Sequence, residues 1–243
     1  MVELLLLGST VGVLSGFFGI GGGTILVPFL LMLGFETKTA IGIAVVQMVF
    51  GSIYGSYINN KKGTLDIKMV LIIGLGGFVG ALFSGSITST FENKTLEIIF
   101  LMFASFALMR LFIKTKEYKQ EREVRPLILF AIGVVLGSIS MAIGVGGSLL
   151  LVPILVGFLH VPLRKATSAG LFFVVFSSAA GFISHTLNQH VDFESGVIIG
   201  LASLIGVYIG IQLKHKIDVK YQKKLLIGFY CIVVAYLAQR IFL

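Results

Sequence analysis

A pattern of consecutive glycines followed by a proline occurs twice in this chain of 243 residues, each time inside a long apolar segment. The copies are GIGGGTILVP at residues 19–28, here termed elbow 1, and GVGGSLLLVP at residues 144–153, termed elbow 2. Such sequences leave backbone N–H and C=O groups without helical partners, which a membrane tolerates only where they face protein or a cavity. We therefore predict that the two elbows form the functional centre.

The composition places the chain in a lipid bilayer. Hydrophobic residues make up 56% of it and charged residues 12%, with a mean hydropathy of +1.02, far from the balance of a soluble domain. Apolar runs of about 20 residues recur, long enough to cross roughly 30 Å of hydrocarbon. The sequence predicts an all-α integral membrane protein, in which the net charge of +8 lies between the apolar runs and requires no nucleic-acid partner.

The chain is internally duplicated. Eight apolar segments cover residues 4–34, 40–58, 67–87, 95–113, 126–159, 166–185, 193–213 and 225–243. Pairs such as Phe50 and Phe176, or Gly80 and Gly206, recur at an offset of 126, and the elbows at an offset of 125. Duplication is common in secondary transporters, whose substrate site lies between the repeats. We predict membrane repeat 1 at 1–113, a cytoplasmic linker at 114–125 and membrane repeat 2 at 126–243.

The charged loops predict the orientation of the repeats. Suppose that each of the two segments that contain an elbow enters and leaves the membrane on the same side. The basic loops at 61–62, 114–125, 164–165 and 214–224 then all lie inside, as the positive-inside rule requires. The acidic loops with Glu92, Glu97, Asp192 and Glu194 then lie outside. This predicts an odd number of crossings per repeat, an inverted topology and both chain ends outside. Each elbow is then either a re-entrant hairpin or a pair of short half-helices.

The elbows have the chemistry of an anion site. A half-helix that begins after Gly23 or at Ser148 presents unpaired N–H groups and the positive end of its dipole, while glycine permits close approach and positive φ. Since no Lys or Arg lies in the middle of a segment, dipoles and hydroxyls would neutralise the anion. The candidate substrate-binding residues are Gly19, Gly21, Gly22, Gly23, Thr24, Gln47, Gly144, Gly146, Gly147, Ser148 and Ser168.

Together, the two elbows and the alanine-centred turns that follow them, at 38–42 and 164–168, resemble the sulfite exporter TauE/SafE family over the whole chain. The resemblance implies a multi-pass carrier of sulfur-containing anions such as sulfite, sulfonates or sulfoacetate-like compounds in the cytoplasmic membrane. It does not select among these anions.

A secondary transporter that works by alternating access is therefore the leading hypothesis, with the lipid bilayer and a small anion as partners and a proton or sodium as a coupling ion. An anion channel is the alternative. A membrane-embedded enzyme is less favoured, because the spans contain no cluster of metal-ligand spacing and no nucleophile–base pair. The single cysteine, Cys231, cannot form an internal disulfide, and no cofactor is predicted.

Overall fold

The computed structural model describes residues 1–61, 67–112, 125–157 and 159–242, and over these ranges it is helical with no β-strand. Lys62 and almost all of the predicted linker, residues 114–124, lie outside the described residues. The helices are α1 Val2–Phe18, α2 Gly23–Met32, α3 Thr37–Lys61, α4 Ile67–Ala81, α5 Ser84–Thr90, α6 Asn93–Phe112, α7 Pro126–Ala142, α8 Ser148–Gly157, α9 Leu163–Leu187, α10 Phe193–Lys216 and α11 Val219–Phe242.

Five helical stretches in the described part of the chain are long and apolar enough to cross a membrane. They are Thr37–Lys61, Met69–Thr90, Lys165–Leu187, Phe193–Lys214 and Tyr221–Phe242. Large apolar side chains on α6, α10 and α11, among them Met102, Met109, Ile205 and Ile232, are exposed, as expected for surfaces that contact lipid. The prediction of an all-α integral membrane protein is confirmed.

Helices of the two sequence halves pack against each other through glycines. Gly8, Gly12 and Gly16 of α1 face the backbone of Ile199, Ser203 and Val207 of α10 in the same order, so these helices run parallel. Residues of α7 and α4 make the corresponding contacts. A Cβ on Gly12 of α1 would overlap the carbonyl oxygen of Ser203, and a Cβ on Gly137 of α7 would likewise overlap the carbonyl oxygen of Gly77. Small residues allow this close approach. The first helix of each half therefore packs against a late helix of the other half.

Corresponding helices of the two halves lie side by side in opposite directions. The carboxylate of Glu97, in the first turns of α6, accepts a hydrogen bond from Arg240 Nε near the end of α11 at 3.2 Å. Glu97 also accepts a hydrogen bond from Thr37 Oγ1 at 2.6 Å. In the centre, late α3 meets early α9 where Gly55 contacts Leu171. Both α3–α9 and α6–α11 are thus antiparallel.

Each broken segment turns back on itself. Arg240 also donates a hydrogen bond to the carbonyl of Leu31 near the end of α2, at 3.1 Å. This places the end of α2 at the Glu97 end of the bundle, where α1 also starts because it runs parallel to α10. Elbow 2 follows the same course towards the opposite end, where Gly157 at the end of α8 lies against Arg110 at the end of α6. Each pair of half-helices forms a hairpin whose tip is an elbow.

Candidate functional site

Each elbow contains a break of four or five residues between two helices, and its later residues begin α2 or α8. Gly19 caps the end of α1, with a left-handed φ of 69° and an N–H that donates to the Ser15 carbonyl at 2.8 Å. Gly144, at the corresponding position after α7, has a φ of 71°. Glycine adopts these angles without the steric cost that a Cβ would impose. The chain therefore reverses at the positions that the glycine pattern predicts.

The glycines of the two elbows do not all share one conformation. Gly147 has a φ of 72°, whereas Gly22 is right-handed with a φ of −62° and precedes the first residue of α2. The expectation of positive φ at the elbow glycines is therefore wrong for Gly22. Its requirement for glycine is spatial, because a Cβ there would overlap the side-chain oxygen of Gln47.

The elbows touch each other in the centre of the protein. Thr24 Oγ1 of elbow 1 donates a buried hydrogen bond to the Val145 carbonyl of elbow 2 at 3.0 Å. A Cβ on Gly23 would overlap the Gly144 carbonyl oxygen. Met48 and Val174, near the middle of α3 and α9, contact Gly21 and Gly146 from the sides. The structure thus brings both glycine patterns into one buried cluster, midway along the long helices.

Backbone N–H groups without acceptors lie in this cluster. Among the hydrogen bonds of the described residues, none is donated by the N–H of Gly21, Gly22, Gly146 or Gly147. These groups precede α2 and α8, each ten residues long, so each N–H set lies at the positive end of a helix dipole. Buried N–H groups are normally paired. The cluster therefore offers donors that the protein itself does not use.

Two buried side-chain oxygens in the same place also lack partners. Gln47 Oε1 and Ser148 Oγ make no hydrogen bond within the described structure, although both residues are fully buried. Ser148 Oγ lies 3.5 Å from the Cβ position of Gly21, so this oxygen of elbow 2 faces elbow 1. Polar atoms buried in this way cost free energy unless a ligand or water pairs with them. Their presence makes this cluster the candidate binding site.

Ser168 is placed less directly than the other candidates. It is 4% exposed and lies on α9 two residues before Gly170, whose Cβ position is 3.1 Å from the Cβ of Ser148. The structure thus brings the elbow glycines, Thr24, Gln47 and Ser148 together. Ser168 lies on the adjoining helix.

Sequence reasoning missed a cation beside elbow 1. Lys214 Nζ lies 3.3 Å from the Cβ position of Gly19, although Lys214 itself is near the end of α10. A lysine stem can carry its charge several ångströms from its backbone. An ammonium group therefore lies beside elbow 1 in addition to the dipoles and hydroxyls that the sequence predicts there. Only the packing of α1 on α10 could have placed this residue.

Comparison with known proteins agrees with these features. The family model described as "Sulfite exporter TauE/SafE" matches residues 4–237, which include both elbows and every helix up to α11. The chain belongs to the TauE/SafE sulfite exporter family. Its resemblance to that family, inferred from the elbows and turns, is confirmed.

Relatives of this TauE/SafE protein are described as probable membrane transporters. The chain is 25% identical to the probable membrane transporter protein YunE of Bacillus subtilis over 93% of its own length and 91% of the relative. It is 26% identical to a probable membrane transporter protein of Methanocaldococcus jannaschii, covering 92% of this chain and 90% of that one. A probable membrane transporter protein of Haemophilus influenzae is 30% identical over 62% of this chain and 61% of the relative. No solved structure matches the chain.

These matches give the general activity. The TauE/SafE protein described here is a membrane transporter and not an enzyme, as its family and its relatives indicate. The elbows are the part of the fold in which unpartnered polar groups meet in the centre, so they are the candidate transport site.

Proposed function

We propose that the protein is a secondary transporter that moves a small sulfur-containing anion, such as sulfite or a sulfonate, across the cytoplasmic membrane by alternating access. The anion would rest between the two elbows. One observation carries this proposal: unpaired N–H groups of two half-helices converge on a buried centre that also holds the unpartnered oxygens of Gln47 and Ser148. Converging helix N-termini favour an anion, and the family description supplies the sulfur chemistry.

The packing of the helices supports a pair of inverted repeats, 1–113 and 126–243, joined by a cytoplasmic linker at 114–125. Corresponding helices α3 and α9 are antiparallel, as are α6 and α11, and the contacts of α1 with α10 recur between α7 and α4. Two equivalent units that face opposite sides of a membrane provide two similar conformations, open to either side. Rocking of one unit against the other is the usual route to alternating access in such folds.

The closed contact between the elbows fits a carrier. Thr24 bonds to Val145 across the centre, and Met48 packs against both glycine clusters, so an anion enters only when the elbows separate. A channel would need a continuous path past them. A coupling ion, proton or sodium, would supply the energy for net movement against a gradient.

Flux measurements in proteoliposomes test the proposal. We expect sulfite or sulfonate uptake that saturates with concentration and is accelerated by the same anion inside the vesicle, since exchange is a property of carriers. Flux that rises linearly with concentration and shows no exchange would contradict a carrier. Vesicles that contain correctly inserted protein but take up neither sulfite nor sulfonates would contradict the proposed function.

A matched pair of glycine variants tests the site. In Gly22→Ala the added methyl group meets the Gln47 side chain, so we expect loss of flux and binding together, measured on folded protein. Gly228→Ala on α11 is the control, because nothing lies within 4 Å of its Cβ position. Unchanged anion affinity in folded Gly22→Ala would remove elbow 1 from the site.

A further inference from the structure

The two elbows are surrounded by different side chains, although the halves correspond in sequence. Gln47 contacts Gly22 of elbow 1, whereas the residue 126 positions later, Phe173, contacts Gly147 of elbow 2. Lys214 Nζ approaches Gly19, whereas at the corresponding position Thr88 donates to the Ala142 carbonyl at 2.7 Å. Elbow 1 is therefore the polar and positively charged member of the pair.

The orientation of the Gln47 amide follows from its hydrogen bonds. Ser203 Oγ donates to the Gly200 carbonyl at 2.7 Å, so it has no proton left to donate and accepts from Gln47 Nε2 at 3.2 Å. The amide oxygen must then point the other way, towards Gly22. A serine hydroxyl has a single proton, and this fixes which end of the amide is free.

The free atom is an acceptor beside a row of donors. Gln47 Oε1 is fully buried and has no partner within the described structure, while the N–H groups of Gly21 and Gly22 are also unpaired. An anion without a proton satisfies the N–H groups but leaves Oε1 facing another acceptor. An anion with one O–H or N–H group satisfies both.

From this arrangement we infer that the site selects a monoanion that carries one hydrogen-bond donor. Its charged oxygens accept from the N–H groups of elbow 1, and its own O–H or N–H donates to Gln47 Oε1. Ser148 Oγ contributes a further hydroxyl from elbow 2. Both hydrogen sulfite and an organic sulfonate with a hydroxyl group have this chemistry. The inference rests on the proposed anion site and adds which anions it prefers.

Two sulfonates of equal charge test the inference. We expect 2-hydroxyethanesulfonate to bind the purified protein about tenfold more tightly than ethanesulfonate, the ratio for roughly one net hydrogen bond. For the inorganic source, sulfite affinity should rise as pH falls and the ion gains its proton. Equal affinity for the two sulfonates overturns the inference while leaving an anion site intact, whereas binding of no anion at all fails the proposed function itself.

Variants identify the responsible atom. Gln47→Met keeps the length of the side chain and removes the acceptor, so we expect the two sulfonates to bind with equal affinity. Ser203→Ala releases the amide to turn, and here we expect the preference to fall, which gives a second reading if Gln47→Met does not fold. The control is Ser177→Ala, because that hydroxyl bonds to the Phe173 carbonyl of its own helix at 3.1 Å. The assignment to Gln47 is overturned if folded Gln47→Met or Ser203→Ala still prefers 2-hydroxyethanesulfonate to ethanesulfonate. It is also overturned if Ser177→Ala loses that preference.

Discussion

Gln47 and Phe173 stand 126 residues apart, at matching places in the two halves, yet one is a buried amide against Gly22 and the other an aromatic ring against Gly147. The backbone arrangement is nearly duplicated, and the chemistry is not. Of the two matching elbows at the centre of the transporter, elbow 1 therefore has the more polar neighbour. Predictions about the fold should hold for both halves, and predictions about the ligand should hold for elbow 1 first.

The proposed topology predicts which positions face the outside. In a Cys231→Ser background, Glu92→Cys and Glu194→Cys should react with a membrane-impermeant thiol reagent added to intact cells, while Lys61→Cys and Lys216→Cys should react only after permeabilisation. All four side chains are exposed, so accessibility depends on the side of the membrane. Labelling of Lys216→Cys in intact cells would contradict the inverted arrangement.

Close helix contacts predict equal losses of stability in the two halves. Gly12→Ala and Gly137→Ala each place a methyl group against a backbone carbonyl, of Ser203 and Gly77 respectively, and should lower the free energy of unfolding in detergent by about 1–3 kcal/mol. Gly228→Ala should be neutral or stabilising by up to about 1 kcal/mol, because its Cβ position is open and alanine favours a helix. A loss confined to one of the two pairs would show that the contacts are not equivalent.

Lys214 should attract the anion over a distance. Lys214→Gln is expected to weaken anion binding several-fold at low ionic strength and much less at high salt, since screening already weakens the interaction there. Lys216→Gln, two residues further along α10 and exposed, is the matched control and should change affinity little. An equal loss at both ionic strengths would instead mean that Lys214 contacts the ligand directly.

His190 should make stability depend on pH. It lies after α9, 3.3 Å from His185 Nδ1 and 3.2 Å from Ser89 Oγ. Burial and the nearby charge of Lys38 hold the pKa of His190 below its usual value of 6.5, against a smaller opposite effect of Glu36. The unfolded chain therefore binds a proton more readily than the folded protein does. Stability should be full above about pH 6.5 and fall as pH decreases towards the folded pKa.

Thermal unfolding at a series of pH values measures this effect. In His190→Gln the acid-side loss of stability should be reduced, and Lys38→Gln should narrow the pH window by raising the pKa of His190. A profile as steep in His190→Gln as in the unmodified protein would assign the dependence to another group, such as the neighbouring His185.

The sequence predicted the elbows because their pattern leaves little choice. Consecutive glycines disfavour a continuous helix, and a membrane permits such a break only in a protected centre. The proline of each elbow lies inside the half-helix that follows the break, α2 or α8. The close contacts of the glycines on α1 require a partner that the sequence does not specify: nothing local to Gly12 identifies Ser203. Which helix a glycine packs against depends on the arrangement of all the helices, and the spacing of glycines in the sequence does not specify that arrangement.

Features of single residues were harder to predict. Gly22 and Gly147 share a motif position but differ in φ, and each faces a different neighbour, Gln47 or Phe173. The sequence places Lys214 in a basic loop. It cannot show how far the flexible side chain carries the amine from the backbone. Ser168 is buried on α9, and its place relative to a bound anion stays a prediction.

The first helix of each half packs against the other half, and this constrains how the protein is made. During synthesis α1 precedes α10, the partner of its glycine face, by eight of the described helices. That face must remain in lipid or against a temporary partner until α10 has been inserted. A chain interrupted before α10 would therefore lack the main contact of its first helix, and each half produced alone would expose the surface that the other is built to cover.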